Sequence, residues 1–596
     1  MIQLQEALTA AADSSSWKPG RLIDSAFGPL LSEDDLIPKT RAELVKIKFQ
    51  AARACLAGDE LPQAKAIYRE ILAMDPRHGD ALQMLGIVDT ELGLLDSAVD
   101  LLCKSIELNP DSDNAYYHLG FAMCKLEQFA AGLECFDKVL ALNPGHVQAV
   151  CDRASALIEL GQLVEAVAGY DHAIRLRADY AEAYSYRGNA LLALRRTDEA
   201  IASFDRSIAI QPSAGAYLNR GNAYQALGAY QTAIDSYDAA TALRNDYAMA
   251  YSNRGVSLKH LHRLDEAIAS SNKAIAAAPN YADAHWNRGL TYLLQGDLEQ
   301  GFLGYQWRWE TDKFKKIRRA FAPPLWLGSP SIRGKKLLIH GEQGFGDTIQ
   351  FARYAKLVEQ AGGHVVYEVE PLLFSLFQSL PGVGTLLRQG DPLPDFDYYC
   401  PVMSLPLALH TDMASIPSPR RYLKADEAKR ARWAQVLGSK TVPRVGLVWS
   451  GSPTHDDDLN RSIALRALVT SLPGGFAYFS LQKDVRTADM AALAASQHIR
   501  HFGEQIVDFA DTAALCELMD LVISVDTSVA HLSGALGVPT WVLLPHLPDW
   551  RWLLERTDSP WYPSVRLYRQ TKARHWDDVL QSVANDLCAS VGRALV

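Results

Sequence analysis

The sequence predicts an all-helical solenoid followed by an α/β half built from two wound parallel sheets. Three observations carry that expectation. Small residues recur through the first half at a period of 34, a basic and proline-rich stretch interrupts the pattern near residue 313, and short apolar runs then alternate with amphipathic stretches to the end. At 596 residues, with about 150 per domain, more than one hydrophobic core is required.

The repeat reads as follows. Ala52, Gly86, Gly120, Ala154, Gly188, Gly221, Gly255 and Gly289 are spaced by 34, with one step of 33. Ala64, Ala98, Gly132, Ala166, Ala200, Ala233, Ala267 and Gly301 each follow a member of the first series by twelve residues. Two small positions per unit are what a pair of antiparallel helices needs where its backbones approach, and Pro76, Pro110, Pro144, Pro212 and Pro279 punctuate the junctions. The pattern resembles the tetratricopeptide repeat, with YSNRGVSLKHLHRLDEAIASSNKAIAAAP at 251–279 carrying its landmarks in order. Eight repeats fit between residues 42 and 312, after an N-terminal segment, 1–41, that reads as a cap or an ordered tail.

Such an array is expected to line a concave groove with the first helix of each pair and to bind a macromolecular partner there. Asn219, Asn253 and Asn287 recur on those helices, each followed by Arg and Gly. Stacked amides can hold a peptide backbone without reading its side chains; equally, Asn-Arg-Gly can be a local packing motif.

Residues 313–334 form the basic, proline-rich boundary, read either as a solvated linker or as a strap against the neighbouring domains. Beyond it, KKLLIHG (335–341), HVVYEVE (364–370), stretches near Leu386 and Tyr398, RVGLVWSG (444–451), FAYFSLQ (476–482), LVISVD (521–526) and TWVLLP (540–545) read as strands alternating with helices. The second start at 444 implies two halves, 335–440 and 441–596, the latter ending in a helix expected to cross back onto the earlier domain. Ligands of facing wound domains sit beyond the carboxyl ends of the strands, so the loops after strands carry the chemistry.

In the first half that loop is Gly341 to Asp347. Gly344 and Gly346 permit close backbone approach, and Asp347 at a helix start either faces the cleft or caps the helix; the third glycine of a dinucleotide fingerprint is missing. In the second half Asp526-Thr527-Ser528-Val529-Ala530-His531, followed by GALGVPT, opens a helix. These residues resemble inverting GT-B glycosyltransferases of the heptosyltransferase type, which carry a Gly-Asp loop in one domain and Asp-Thr-x-x-x-His in the other. The resemblance covers roughly residues 335–596. Ser528 stands where many heptosyltransferases have Gly.

The resemblance implies a GT-B fold, two Rossmann-like domains facing a cleft. Thr527, Ser528 and the N–H groups of the helix start suit a donor phosphate, Asp526 a hydroxyl, and His531 a donor-placing role. Arg461 and Lys483 follow strands of the same half and can neutralise the leaving phosphate without a metal. Asp347 is the expected base, with His340 and His455 as alternates. The run Asp456, Asp457, Asp458 reads as a solvated turn, and Trp449 and Trp550 either stack on the ligand or pack in the core.

A tetratricopeptide array joined to such a domain looks like the protein-modifying glycosyltransferases, including bacterial enzymes that decorate flagellin with pseudaminic acid. The expectation is a protein O-glycosyltransferase whose repeats hold the acceptor, flagellin favoured, and whose cleft takes a nucleotide-sugar co-substrate, a CMP-nonulosonate favoured, with no cofactor or metal. A heptosyl-type transferase for surface polysaccharide, and a scaffold or chaperone whose transferase domain is inactive, are the rivals.

Composition bounds these readings. Hydrophobic residues at 48% exclude a mostly disordered chain, and a net charge of −10 argues against a nucleic-acid partner. Eight cysteines without a C-x-x-C give no disulfide or zinc framework, and no segment has the ~18 apolar residues of a membrane span. A soluble, cytoplasmic protein is expected.

Overall fold

A computed structural model describes residues 41–455 and 457–590. The N-terminal segment up to residue 40 and Asp456 lie outside the described residues. Sixteen helices, eight pairs, run from Arg41–Ala57 to Leu298–Tyr305. The first helices of the third to seventh pairs are α1 (Asp113–Lys125), α2 (Val147–Glu159), α3 (Ala181–Ala193), α4 (Ala214–Ala226) and α5 (Ala248–His260).

The packing explains the period. A Cβ added at Gly86, Gly120, Gly188 or Gly221 would meet Leu102, Phe136, Phe204 or Tyr237 at 2.4–2.9 Å. Each partner lies sixteen residues on, in the second helix of the same pair, and is fully buried. Only a small residue lets the two helices close on that side chain. The arginines before Gly188, Gly221 and Gly255 reach back to the preceding pair: Arg187 to Asp171 (2.7 Å), Arg220 to Asp205 (2.9 Å) and Arg254 to Asp238 (2.7 Å). Arg and Gly of Asn-Arg-Gly therefore join neighbouring helices, the packing alternative.

The chain divides into two compact units between Ser257 and Leu258, inside the repeat array. Leu293, Leu294 and Phe302 of the last pair belong to the hydrophobic core of the α/β half, where Phe302 meets Trp550 edge to face. Arg308, just after that pair, forms a fully buried bidentate ion pair with Glu342 of the loop following the first strand (2.8 and 2.9 Å).

The basic boundary is a strap. Leu325 bridges to Tyr399 as a short parallel addition to the sheet, Trp326 N–H donates to the Tyr399 carbonyl (2.8 Å), and Arg319 pairs with Glu368.

Strands β1 (Lys336–His340), β2 (His364–Val369), β3 (Thr385–Arg388) and β4 (Tyr398–Pro401) form a parallel sheet in the order β3-β2-β1-β4. Strands β5 (Arg444–Val448), β6 (Ala477–Ser480), β7 (Ile499–His501), β8 (Leu521–Val525), β9 (Thr540–Leu544) and β10 (Val565–Arg569) form a second, in the order β10-β9-β8-β5-β6-β7. Every pairing is parallel.

β1 starts one wing of its sheet while β4 starts the other, and β5 and β8 do the same in theirs. The loops after β1, β5 and β8 thus leave from topological switch points, where neighbouring connections diverge and open a crevice.

Helix α6 (Phe345–Phe351) follows β1, α7 (Ser528–Leu536) follows β8, and α8 (Asp577–Ser590) follows β10. The terminal helix does not cross back. Val579, Leu580, Val583 and Leu587 of α8 pack with Val445, Leu447 and Leu521 of its own six-stranded sheet, in a cluster that also holds Ile463, Leu465 and Leu468. Among the described residues no helix is long and apolar enough to cross a membrane.

Candidate functional site

The starts of α6 and α7 are pressed together. A Cβ at Gly346 would lie 2.9 Å from the His531 ring and 3.4 Å from Ser528 Cα, so the glycine is what permits the contact. His531 is buried, with Nδ1 3.0 Å from the Tyr562 hydroxyl and its ring stacked on Trp552. Burial, then Arg551 and Arg353, hold its pKa well below the usual histidine value, which leaves it neutral.

Asp347 makes two contacts. Its Oδ2 accepts the Gly344 N–H (2.9 Å), capping α6, and its Oδ1 accepts Arg551 Nη2 (2.5 Å). Burial raises its pKa above the usual carboxylate value and Arg551 pulls it back. Arg551 also donates to Gln350 (2.6 Å) and Asp549 (2.8 Å), so one guanidinium spans both halves of the α/β region.

Asp526 follows β8 beside this group, 3.9 Å from His531 Nε2. Burial first, and the Asp549 carboxylate second, push its pKa above the usual carboxylate range. Arg461 donates to the Asp526 carbonyl (3.0 Å) and lies against Gly451, and its Nε makes no hydrogen bond among the described residues but faces Asp458 Oδ1 at 3.9 Å. Thr527 is the N-cap of α7, but its hydroxyl contacts Ser524 (3.1 Å) and leaves the N–H groups of the first turn uncapped by that side chain. The arrangement joins first-turn N–H donors, a guanidinium and two carboxylates, a set able to bind an anionic leaving group and hold a hydroxyl.

The structure brings together Gly344, Gly346, Asp347, Arg461, Asp526, Thr527, Ser528 and His531. Lys483 is not with them: it is exposed and donates to the Val507 carbonyl (3.1 Å), while the adjacent Gln482 turns inward and binds Ser450 (2.9 Å). Alternation past the end of β6 places one of the two on each side. His340 is also displaced. It is buried at the end of β1 among Phe321, Tyr399 and Arg319, its Nδ1 against the Gly341 carbonyl (2.9 Å), because the strap covers that side of the sheet.

Asp458 is not part of a solvated turn: it is buried and accepts two contacts from Arg486 (both 2.6 Å). His455 is exposed and accepts the Asp457 N–H (3.1 Å). Trp449 and Trp550 are core residues, Trp449 donating to Asp489 (3.0 Å). In the repeats Asn219 is buried, and Asn253 Nδ2 donates to Asn222 (2.9 Å), which spends that amide on the neighbouring helix. Asn287 sits half-buried in the eighth pair.

Sequence reasoning missed Arg551, Asp549 and Lys259. Lys259, in the last turn of α5, interacts with Asp549 and Asp457, and burial holds its pKa below the usual lysine range. The turn after α5 is anchored nearby, His262 stacking on His546 (4.4 Å) and contacting its carbonyl (3.1 Å). The local signal for Arg551 was only a charged residue between two tryptophans.

Models of the tetratricopeptide repeat match residues 154–194, 221–262 and 261–296, and a second such model matches 181–214. Protein FlbA of Caulobacter vibrioides is 27% identical over 320 residues, 50% of this chain and 53% of that protein, so the match spans about half of each. Among solved structures, MamA shares 24% identity over 27% of this chain and 94% of its own, with a TM-score of 0.26. A tetratricopeptide repeat protein from Parabacteroides merdae shares 17% over 42% and 99%, with a TM-score of 0.36. The chain carries tetratricopeptide repeats ahead of an α/β region with parallel sheets, and half of it is similar to FlbA.

Proposed function

We propose that the α/β half is an inverting, metal-independent glycosyltransferase of the GT-B type, and that the repeats hold its protein acceptor. Flagellin is the favoured acceptor and a CMP-nonulosonate, such as the pseudaminic acid donor, the favoured co-substrate, both on the resemblance described above. The observation that carries the reading is the meeting of two switch-point loops, Gly344 to Asp347 and Asp526 to His531, at Gly346.

In this reading the donor phosphate lies on the first turn of α7, where N–H groups and the helix dipole favour negative charge. Arg461 adds a charge from beneath Asp526. Asp526 accepts a hydrogen bond from a sugar hydroxyl. The acceptor Ser or Thr oxygen attacks the anomeric carbon from the face opposite the phosphate. As that bond forms and the carbon–oxygen bond to phosphate breaks, the hydroxyl proton passes to Asp347 and the phosphate keeps the electron pair. Burial raises the proton affinity of Asp347, as a base needs, and Arg551 pulls it part of the way back.

One observation favours a second reading, a scaffold whose transferase fold is inactive: both oxygens of Asp347 are already bonded. Incubating the chain with an acceptor and donor and weighing the intact acceptor separates the two. Transfer that is lost in Asp347→Asn supports the enzyme; an unchanged mass with bound acceptor supports the scaffold.

A further inference from the structure

In the first compact unit, successive first helices of the pairs approach one another more closely than successive second helices do, so the first helices line the inner face. The register occupied by Asn219 and Asn253 continues backwards at the repeat spacing as Tyr186, Asp152 and His118, on α3, α2 and α1. All three are half-buried. At the centre, Asp152 Oδ2 accepts the Tyr117 hydroxyl (2.7 Å), and Oδ1 accepts Gln148 Nε2 at a long 3.3 Å. The Tyr180 hydroxyl donates in turn to Gln148. Tyr117 is fixed by stacking on His146 (5.0 Å), and the Tyr180 ring by Arg177 lying over it (3.8 Å).

Every donor to Asp152 is neutral, and among the described residues the carboxylate has no ion-pair partner. A carboxylate offers about four acceptor positions, and two neutral donors leave some of them open. Removing such a charge from water without a cation is costly, and burial accordingly pushes its pKa up to about 6, against the pull of Tyr117 and Gln148. A cation arriving on this face relieves the cost and completes the hydrogen bonding.

We propose that the inner face around Asp152, between Tyr117 and Tyr180, receives one basic side chain, lysine or arginine, of an extended polypeptide lying across the first helices. This names the chemistry of the partner. It rests on the reading of the repeats as a protein-binding surface and not on transfer in the α/β half.

The test uses the full chain and two synthetic peptides, one extended Ser/Thr/Gly sequence with a central lysine and its copy with norleucine there. The lysine peptide should bind the wild-type chain, and norleucine or Asp152→Asn should each weaken binding about tenfold, with little further loss when combined. Equal binding of the two peptides overturns the proposal on the unaltered protein, whatever the variant's stability. Unchanged affinity in a folded Asp152→Asn, or no binding of the lysine peptide to the wild type, overturns it as well. Asp347→Asn should bind the lysine peptide as the wild type does, so a failure of the transfer reading leaves this result standing.

Discussion

Replacing Arg551 with methionine tests the joint between the two halves of the α/β region. The guanidinium is 7% exposed and donates to Asp347, itself 20% exposed, and to Asp549, 37% exposed. Methionine fills the volume and removes every donor. Breaking a buried pair from one side costs about 3–5 kcal/mol because the remaining charge is stranded. Asp549 can rehydrate and contributes little, so the loss should be about 3 kcal/mol, most of it from Asp347. The pKa of Asp347 is already raised in the fold, and losing Arg551 raises it further. The folded state then holds a proton that the unfolded chain releases, so stability falls as pH rises above the unfolded carboxylate's pKa of about 4. The variant should therefore be weakest on the alkaline side. Denaturant titrations at acidic and alkaline pH measure this, and adding Asp347→Asn should restore much of the loss. A loss under about 1 kcal/mol that is independent of pH, or no rescue, would refute the assignment of the joint to this ion pair.

Gly346→Ala should destabilise the chain by about 1–3 kcal/mol, seen in denaturant titration, and lower transfer, because the methyl group forces α6 off His531. Lys483→Ala should change stability by about 0.5 kcal/mol or less and leave the KM for donor unaltered, since the side chain is exposed and turned to Val507. Asp526→Asn should remove a pH dependence. The raised pKa of the aspartate makes the native chain lose stability as pH rises from about 4 towards neutrality, and the difference in Tm between acidic and neutral buffer should shrink in the variant.

What could be read from the sequence follows from range. The 34-residue period reports contacts sixteen residues apart, such as Gly188 on Phe204, and these are local enough to leave a regular trace. The strands that were foreseen are runs of apolar residues between turns. β7 has three residues, and Arg566 and Arg569 interrupt the apolar run of β10, so neither shows the pattern of the other strands. The two loop motifs were legible individually, and their meeting at Gly346 follows from where each sheet switches direction. The Arg551–Asp347 pair joins residues 204 apart and leaves no periodic signal. Lys483 and His340 were misplaced for a different reason: a strand end fixes where a residue is but not which way its side chain turns. The last repeats join the second unit through Leu293, Leu294 and Phe302, apolar residues indistinguishable in sequence from those that pack between repeats.

The central claim is that a polypeptide held by the repeats is modified by the α/β half. The most direct measurement is the intact mass of flagellin incubated with the full chain and, in parallel, a CMP-nonulosonate or an ADP-heptose. The account expects a gain of one or more whole sugar masses with the nonulosonate donor, located on Ser or Thr peptides and lost in Asp347→Asn. Flagellin that binds the chain yet keeps its mass with both donors would contradict it.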